Sequence, residues 1–212
     1  MLKFILERVV QNILSISALG VLFFAISGTL AVLGFWIYIA TVLGYQVVSL
    51  LLIVPRYPEY IELAQVRKVR RDDVKKWDQV VVLGMMGASF LMYGLAALDV
   101  SRVHISRLPL RLALAGILIY IAGSALNQWA MVHNPHFEKG VRIQDDRGHQ
   151  VVASGPYRYV RHPGYLGSML GLVSFPLIVG SAIALVGSVL CIGGMVVRTS
   201  LEDRTLTEEL AG

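Results

Sequence analysis

Long apolar stretches, separated by a few compact polar segments, dominate the chain. No charged residue occurs from Val9 to Pro55. That length is about twice the ~20 residues one membrane-spanning helix needs, so the region predicts two spans. Span one runs from about Val9 to Ile26, Ser27-Gly28-Thr29 marks a turn, and span two runs from about Gly34 to Val54. Trp36 and Tyr38 are placed as interface anchors at its outer end, and Pro55 and Pro58 are expected to stop it. Residues 59–79 read as an amphipathic surface helix ending in Lys75-Lys76-Trp77-Asp78, with Trp77 as a further anchor.

Span three is Val80–Leu98, in which Gly84, Gly87 and Gly94 predict close helix approach. Span four is about Leu112–Met131. Asn127 and Gln128 near its end either bond a neighbouring helix or face a polar pocket, and the sequence does not choose between the two. The apolar run Leu166–Val197 is again long enough for two crossings. It predicts a hairpin with a break at Phe175-Pro176, a small-residue face at Gly167 and Gly171, and a tip at Gly180-Ser181. The fold class expected is therefore all-α: a polytopic membrane helical bundle with six crossings, or five if one pair is a shallow hairpin. Residues 1–212 form one integral membrane domain. Its first part, 1–132, holds spans one to four and the basic loop 56–79. Its second, 133–212, holds a loop, the final hairpin and an acidic tail. The first apolar run is too long for a cleaved signal peptide and continues into a second run.

Composition sharpens this class. Hydrophobic residues make up 56% of the chain, which excludes a disordered chain and argues against an ordinary soluble domain. The single cysteine, Cys191, lies in an apolar run, so an internal disulfide and a cysteine-based metal site are excluded, and it reads as a small buried residue. The histidines lack close metal-ligand spacing, and no metal is expected.

Charge orients the spans. Alternating crossings put segments 1–8, 56–79, 133–165 and the tail from Arg198 on one side, and these carry all lysines and arginines except Arg102, Arg107 and Arg111. Basic residues accumulate on the cytoplasmic side, so both termini and the 133–165 loop are expected in the cytoplasm of a cell-membrane protein. The net charge of +5 follows from this bias and requires no nucleic-acid partner. The cluster Arg67–Lys76 is expected to lie on anionic lipid headgroups, with an anionic substrate as the lesser reading.

The chemistry concentrates near the last hairpin. The loop 133–160 carries His133, Asn134, His136, Gln144, Asp145, Asp146, His149 and Gln150, and a loop this long in a compact membrane protein usually has a function. Val151-Val152 read as a short extended piece before the turn Ser154-Gly155-Pro156. Tyr157, Arg158, Arg161, His162 and Tyr165 then stand at the switch from polar loop to apolar helix, a costly set to desolvate unless something polar binds there. Arg161-His162-Pro163-Gly164-Tyr165 enters the hairpin and Arg198-x-x-x-Glu202-Asp203 leaves it, so the two clusters should be neighbours. Arg198 and Glu202, four apart, share a helix face. The combination suits a zwitterionic or nucleotide-like ligand, and an interhelical salt bridge of Arg161 or Arg198 with Glu202 is the equal alternative.

The segment Gly155-Pro-Tyr-Arg-Tyr-Val-Arg-His-Pro-Gly-Tyr-Leu-Gly167, followed by a hairpin and the paired acids Glu202-Asp203, resembles the signature of the isoprenylcysteine carboxyl methyltransferases and related phospholipid methyltransferases. The resemblance implies an integral membrane enzyme that uses S-adenosyl-L-methionine, with its cofactor site on the cytoplasmic side. It implies cofactor contacts at Gln144, at His149, Gln150, Val151 and Val152, at Tyr157, His162, Pro163, Gly164 and Tyr165, and at Glu202, with His136 as a weaker candidate. It implies that Arg198 approaches the methyl acceptor as the catalytic residue. The acceptor expected is lipophilic or membrane-associated, carrying a carboxylate, amine or thiol. The competing readings are an NADPH-dependent membrane reductase of the sterol-reductase type, whose signature is similar, and a non-catalytic lipid-binding membrane protein.

Overall fold

The computed structural model describes residues 2–57, 74–138, 140–144 and 147–209. Among them the chain is helical, with no strand, and the helices are α1 (Leu2–Ser27), α2 (Leu33–Arg56), α3 (Lys76–Leu98), α4 (Arg111–His133), α5 (Pro163–Val179) and α6 (Leu185–Glu209). Five of them, all but α5, are long and apolar enough to cross a membrane. Helix α5 has 17 residues, or ~26 Å at 1.5 Å per residue against a hydrocarbon core of ~30 Å. The outward faces carry exposed Leu14, Val21, Leu51, Val80, Leu83, Leu118 and Val189. An apolar exterior of this extent has its natural solvent in lipid.

The predicted connections hold at the ends of the bundle opposite the termini. Gly28 has φ 72° in the α1–α2 turn, where the Ser27 hydroxyl donates to the Thr29 carbonyl at 2.8 Å. Gly180, at φ 90°, caps α5 as the hairpin tip. The Arg107–Ser181 bridge ties that tip to the α3–α4 connection, where a π-helical turn, Asp99–Val103, ends on His104 at φ 58°.

The core is aromatic. Phe23 and Phe35 stack at 3.8 Å between centroids, joining α1 to α2. Phe175 of α5 meets the edges or faces of Tyr38 at 4.9 Å and Tyr93 at 4.6 Å. Such pairs add ~0.5–1.5 kcal/mol each beyond area burial. Helices α4 and α5 run in close contact because Gly123 faces Gly167, and a Cβ on Gly123 would come within 2.6 Å of the Gly167 carbonyl.

Several expectations need correction. Tyr38 is buried in this aromatic core instead of anchoring at the interface, whereas Trp36 is exposed and donates to the Leu30 carbonyl at 2.8 Å. Pro55 lies inside the last turn of α2, and Pro176 lies inside α5 without ending it. A proline's missing N–H is tolerated where local adjustment and neighbouring helices compensate. Gly84, Gly87, Gly94 and Gly171 have open space where a Cβ would stand, so they mediate no close approach. Gly34, Gly116, Gly123, Gly167 and Gly187 do. Helix α3 starts at Lys76, so that residue and Trp77 belong to the span. The surface helix expected over 59–79 and its basic cluster lie mostly outside the described residues. Asn127 bonds the neighbouring helix α5, donating to the Gly164 carbonyl at 3.0 Å and to the Ser168 hydroxyl at 3.1 Å. Gln128 accepts from the Tyr45 hydroxyl at 3.0 Å. Cys191 is buried, as its surroundings in the sequence predict.

Candidate active site

The polar cluster forms where the start of α5 meets α6, whose facing turns carry Arg198, Glu202 and Asp203 before the helix continues to Glu209. Pro163 is preset for a helix start because its fixed φ suits the first turn and its missing N–H is not needed there. That start sets His162, Pro163, Gly164 and Tyr165 against the end of α6. The paired acids divide their partners. The Tyr165 hydroxyl donates to Glu202 Oε2, and His162 Nε2 stands 2.7 Å from Asp203 Oδ1. The His162 and Tyr165 rings lie parallel, 5.4 Å apart, and the Arg198 guanidinium sits 5.1 Å from the centre of the Tyr165 ring. Arg161, 87% exposed in its side chain, approaches Asp203 at 3.9 Å.

Arg198 does not pair with Glu202. Its fork closes on Asp78 in the first turn of α3, Nε to Oδ1 at 2.6 Å and Nη2 to Oδ2 at 3.2 Å. The side chains are 9% and 1% exposed. A bidentate geometry of this kind is what a buried ion pair needs to offset desolvation. Asp78 Oδ2 also accepts the Val141 N–H at 3.0 Å, and the Lys75 N–H donates to the Val141 carbonyl at 3.0 Å. The long loop is thereby fastened to α3. Lys75 reaches Glu209 of α6 at 2.7 Å on the rim.

The loop has its own internal structure. Glu138 pairs with Arg142 at 2.9 Å, both buried. Gln144 is buried and used within the loop: Nε2 donates to the His136 carbonyl at 2.7 Å and Oε1 accepts from Arg147 at 3.0 Å. His136 and His149 rings lie 4.6 Å apart. Burial holds the His136 imidazole below its ordinary range, and among the described residues its Nδ1 is buried with no hydrogen-bond partner. Tyr157, on a 3₁₀ turn, accepts from Asn134 at 3.2 Å. Gln150 and Val151 are exposed and Val152 is half-buried, and among the described residues the piece pairs with no strand. Phe137 covers the start of α5, where a Cβ on Gly164 would come within 2.6 Å of its ring. That contact joins the loop to the signature.

The structure thus gathers Tyr165, His162, Glu202 and Arg198, with Pro163 and Gly164 at their base. It sets Gln144 and His149 in the adjoining loop, against His136. Sequence reasoning missed Asp78, Phe137 and Val141. Only Asp78 carried a signal: an acid opening an apolar span is costly alone and calls for a cationic partner.

Beside the pair, α3 and α6 form an outward-facing apolar groove lined by Val81, Gly84, Met85, Gly87, Leu190 and Val197, among others. Val81 lies one turn from Asp78 and Val197 is next to Arg198 in the sequence, and neither member of the ion pair lines the groove. A cavity of about 250 Å³ lies deeper, between Tyr38, Tyr93, Tyr120, Ser168 and Met195, and shares Met85 with the groove.

No curated protein and no solved structure matches the chain. Residues 115–208 match the family model described as the isoprenylcysteine carboxyl methyltransferase (ICMT) family. The matched stretch contains the loop, the signature, the hairpin and the acids, and it supports a membrane methyltransferase. Over residues 115–208 the chain is isoprenylcysteine carboxyl methyltransferase-like.

Proposed function

We propose that the protein is an S-adenosyl-L-methionine-dependent methyltransferase acting on a lipophilic or membrane-associated acceptor. The observation that carries this reading is the convergence of Tyr165, Glu202 and Arg198 at one end of the bundle, on the same helix α6 that lines a lipid-facing groove with α3. The cofactor is a zwitterion with an added sulfonium charge. The side chains present fit it: carboxylates at Glu202 and Asp203 for cationic groups, aromatic faces at His162 and Tyr165, and the N-terminus of α5 for a carboxylate. First-turn N–H groups have no intrahelical acceptor and favour an anion. The buried, unpartnered Nδ1 of His136 is a further polar atom available at the loop side.

In this reading His162, Pro163, Gly164, Tyr165 and Glu202 hold the cofactor, with Tyr157 and residues 149–152 as the loop wall and Gln144 supporting that wall from within. Arg198 borders the acceptor side. When bound, the cofactor supplies an electrophilic methyl group on a cationic sulfur. The chain's task is to align donor and acceptor and keep water from the path. Tyr165 fixes the Glu202 carboxylate, Asp78 fixes Arg198, and the groove admits an apolar chain sideways from the bilayer. Both termini and the 133–165 loop face the cytoplasm, the side on which lysines and arginines gather.

Calorimetric titration of the purified protein with S-adenosylhomocysteine and with NADPH tests the reading. We expect S-adenosylhomocysteine to bind, and Glu202→Ala to weaken it by at least about tenfold, the size of one charge-assisted hydrogen bond. Binding of NADPH alone would overturn the proposal, and unchanged affinity in Glu202→Ala would remove Glu202 from the site.

A further inference from the structure

We propose that the end of the bundle opposite the termini is an interaction surface for anionic phospholipid headgroups, received by Arg102, Arg107 and Arg111. The proposal concerns the other end of the molecule from the methyltransferase site and does not rest on that reading. These three are the arginines that alternating crossings leave on the side away from the basic loops. Charge bias in membrane insertion disfavours them there, so their presence calls for a local reason.

The connections at this end are stitched into one surface. Asp99 draws the α3–α4 connection into a curl by accepting the Ile105 and Ser106 N–H groups. The Ala182 N–H donates to the Ser106 carbonyl at 2.9 Å, and the Leu108 N–H to the Gly180 carbonyl at 2.9 Å, which fastens the curl to the α5–α6 tip. On the other side Arg102 Nε donates to the Ser27 carbonyl at 3.3 Å, at the α1–α2 turn. Arg107 Nη2 stands 2.8 Å from His104 Nδ1, so its guanidinium is held beside the ring. Arg102, Arg107 and Arg111 are all exposed.

This surface is cationic and lacks an exposed counter-charge. Residues 28–32, 99–111 and 180–184 hold Asp99 as their only acid. Asp99 is buried, and its oxygens are filled by N–H and hydroxyl donors. Among the described residues no carboxylate pairs with any of the three arginines. At the opposite end Arg142, Arg198 and Arg204 each hold a carboxylate.

Apolar side chains set the depth. Leu30, Val103, Ile105 and Leu110 are exposed on the connections themselves. Apolar residues interleaved with arginines suit the boundary between headgroups and acyl chains, where the guanidinium stays in the polar layer. Trp36, exposed and bonded to the Leu30 carbonyl, is an interface anchor on the same connection. At that depth a guanidinium meets phosphate, which it binds through paired N–H donors. A phosphocholine headgroup brings its own cation, whereas an anionic headgroup leaves its charge for the protein, so this surface favours the anionic lipid.

Trp36 reports on this end alone. The chain has three tryptophans, and the other two, Trp77 and Trp129, lie in the first turn of α3 and near the end of α4, at the opposite end. In a Trp77→Phe, Trp129→Phe parent, Trp36 fluorescence is followed in vesicles as brominated-chain phosphatidylglycerol or brominated-chain phosphatidylcholine replaces unbrominated phosphatidylcholine. We expect phosphatidylglycerol to be preferred at Trp36 by at least about fivefold, the size of one arginine at an anionic surface. In the variant carrying Arg102→Gln, Arg107→Gln and Arg111→Gln the preference should fall to less than about twofold. Equal quenching by the two lipids in the parent, or an unchanged preference in the variant, would overturn the proposal. Arg102 also holds the α1–α2 turn, so the variant is first checked by thermal unfolding. Should it not fold, Arg107→Gln with Arg111→Gln, which spares the bond to Ser27, takes its place. The preference must then drop by at least about twofold, and no drop overturns the proposal.

Discussion

The bundle buries one aspartate at each end, and the two are satisfied in different ways. At the hairpin-tip end Asp99 accepts from neutral groups only: the N–H groups of Ile105 and Ser106 at 2.8 and 3.1 Å, and the hydroxyls of Ser106 and Ser181 at 2.7 and 2.6 Å. At the other end Asp78 takes a guanidinium and one N–H. Asp99 closes a turn whose partners sit a few residues away or on the adjoining tip. Asp78 joins α3, α6 and the long loop. A carboxylate wrapped by neutral donors is a completed clamp. One that holds an arginine fixes a guanidinium in register with the Tyr165 ring and its neighbours. Burial alone, 2% exposure against 1%, does not distinguish them.

Substitutions test that contrast. The largest effect is expected at Arg198→Ala, which leaves the Asp78 charge buried and unpaired. Breaking a buried pair costs ~3–5 kcal/mol, readable as a lower thermal midpoint in detergent, and acceptor use should fall more than cofactor affinity. Asp99→Ala leaves several donors without an acceptor and should cost ~2–3 kcal/mol. Its S-adenosylhomocysteine affinity should stay at the wild-type value, and a loss of affinity comparable with that of Glu202→Ala would erase the distinction between the two ends. The smallest effect is expected at Lys75→Ala. The rim pair with Glu209 is partly exposed, at 31% and 44%, and such pairs are worth ~0.2–1 kcal/mol. A larger shift would mean that the rim, and not the buried pair, holds the loop end together.

Much of this arrangement was legible in the sequence because membrane insertion imposes a strong constraint. Every backbone polar group in a span must be satisfied internally, so apolar length translates into helices, and Gly28 and Gly180 mark the turns through conformations other residues avoid. The neighbourhood of His162 and Asp203 followed from the hairpin, since two antiparallel helices return the chain to its starting end. What escaped was pairing between elements distant in sequence. The fork of Arg198 could reach Glu202 by helix spacing, and nothing local says that Asp78, 120 positions away, wins it. Glycines were equally ambiguous. Gly84 and Gly167 look alike in composition, yet one lines an open groove and the other meets a backbone carbonyl, because closeness depends on which helix happens to lie opposite.

One oxygen of Asp78 serves both the arginine and the Val141 amide. Straightening the loop away from α3 would therefore strip that oxygen of one donor at the moment its charge most needs screening. The loop's hold on α3 and the arginine's alignment thus share a single atom.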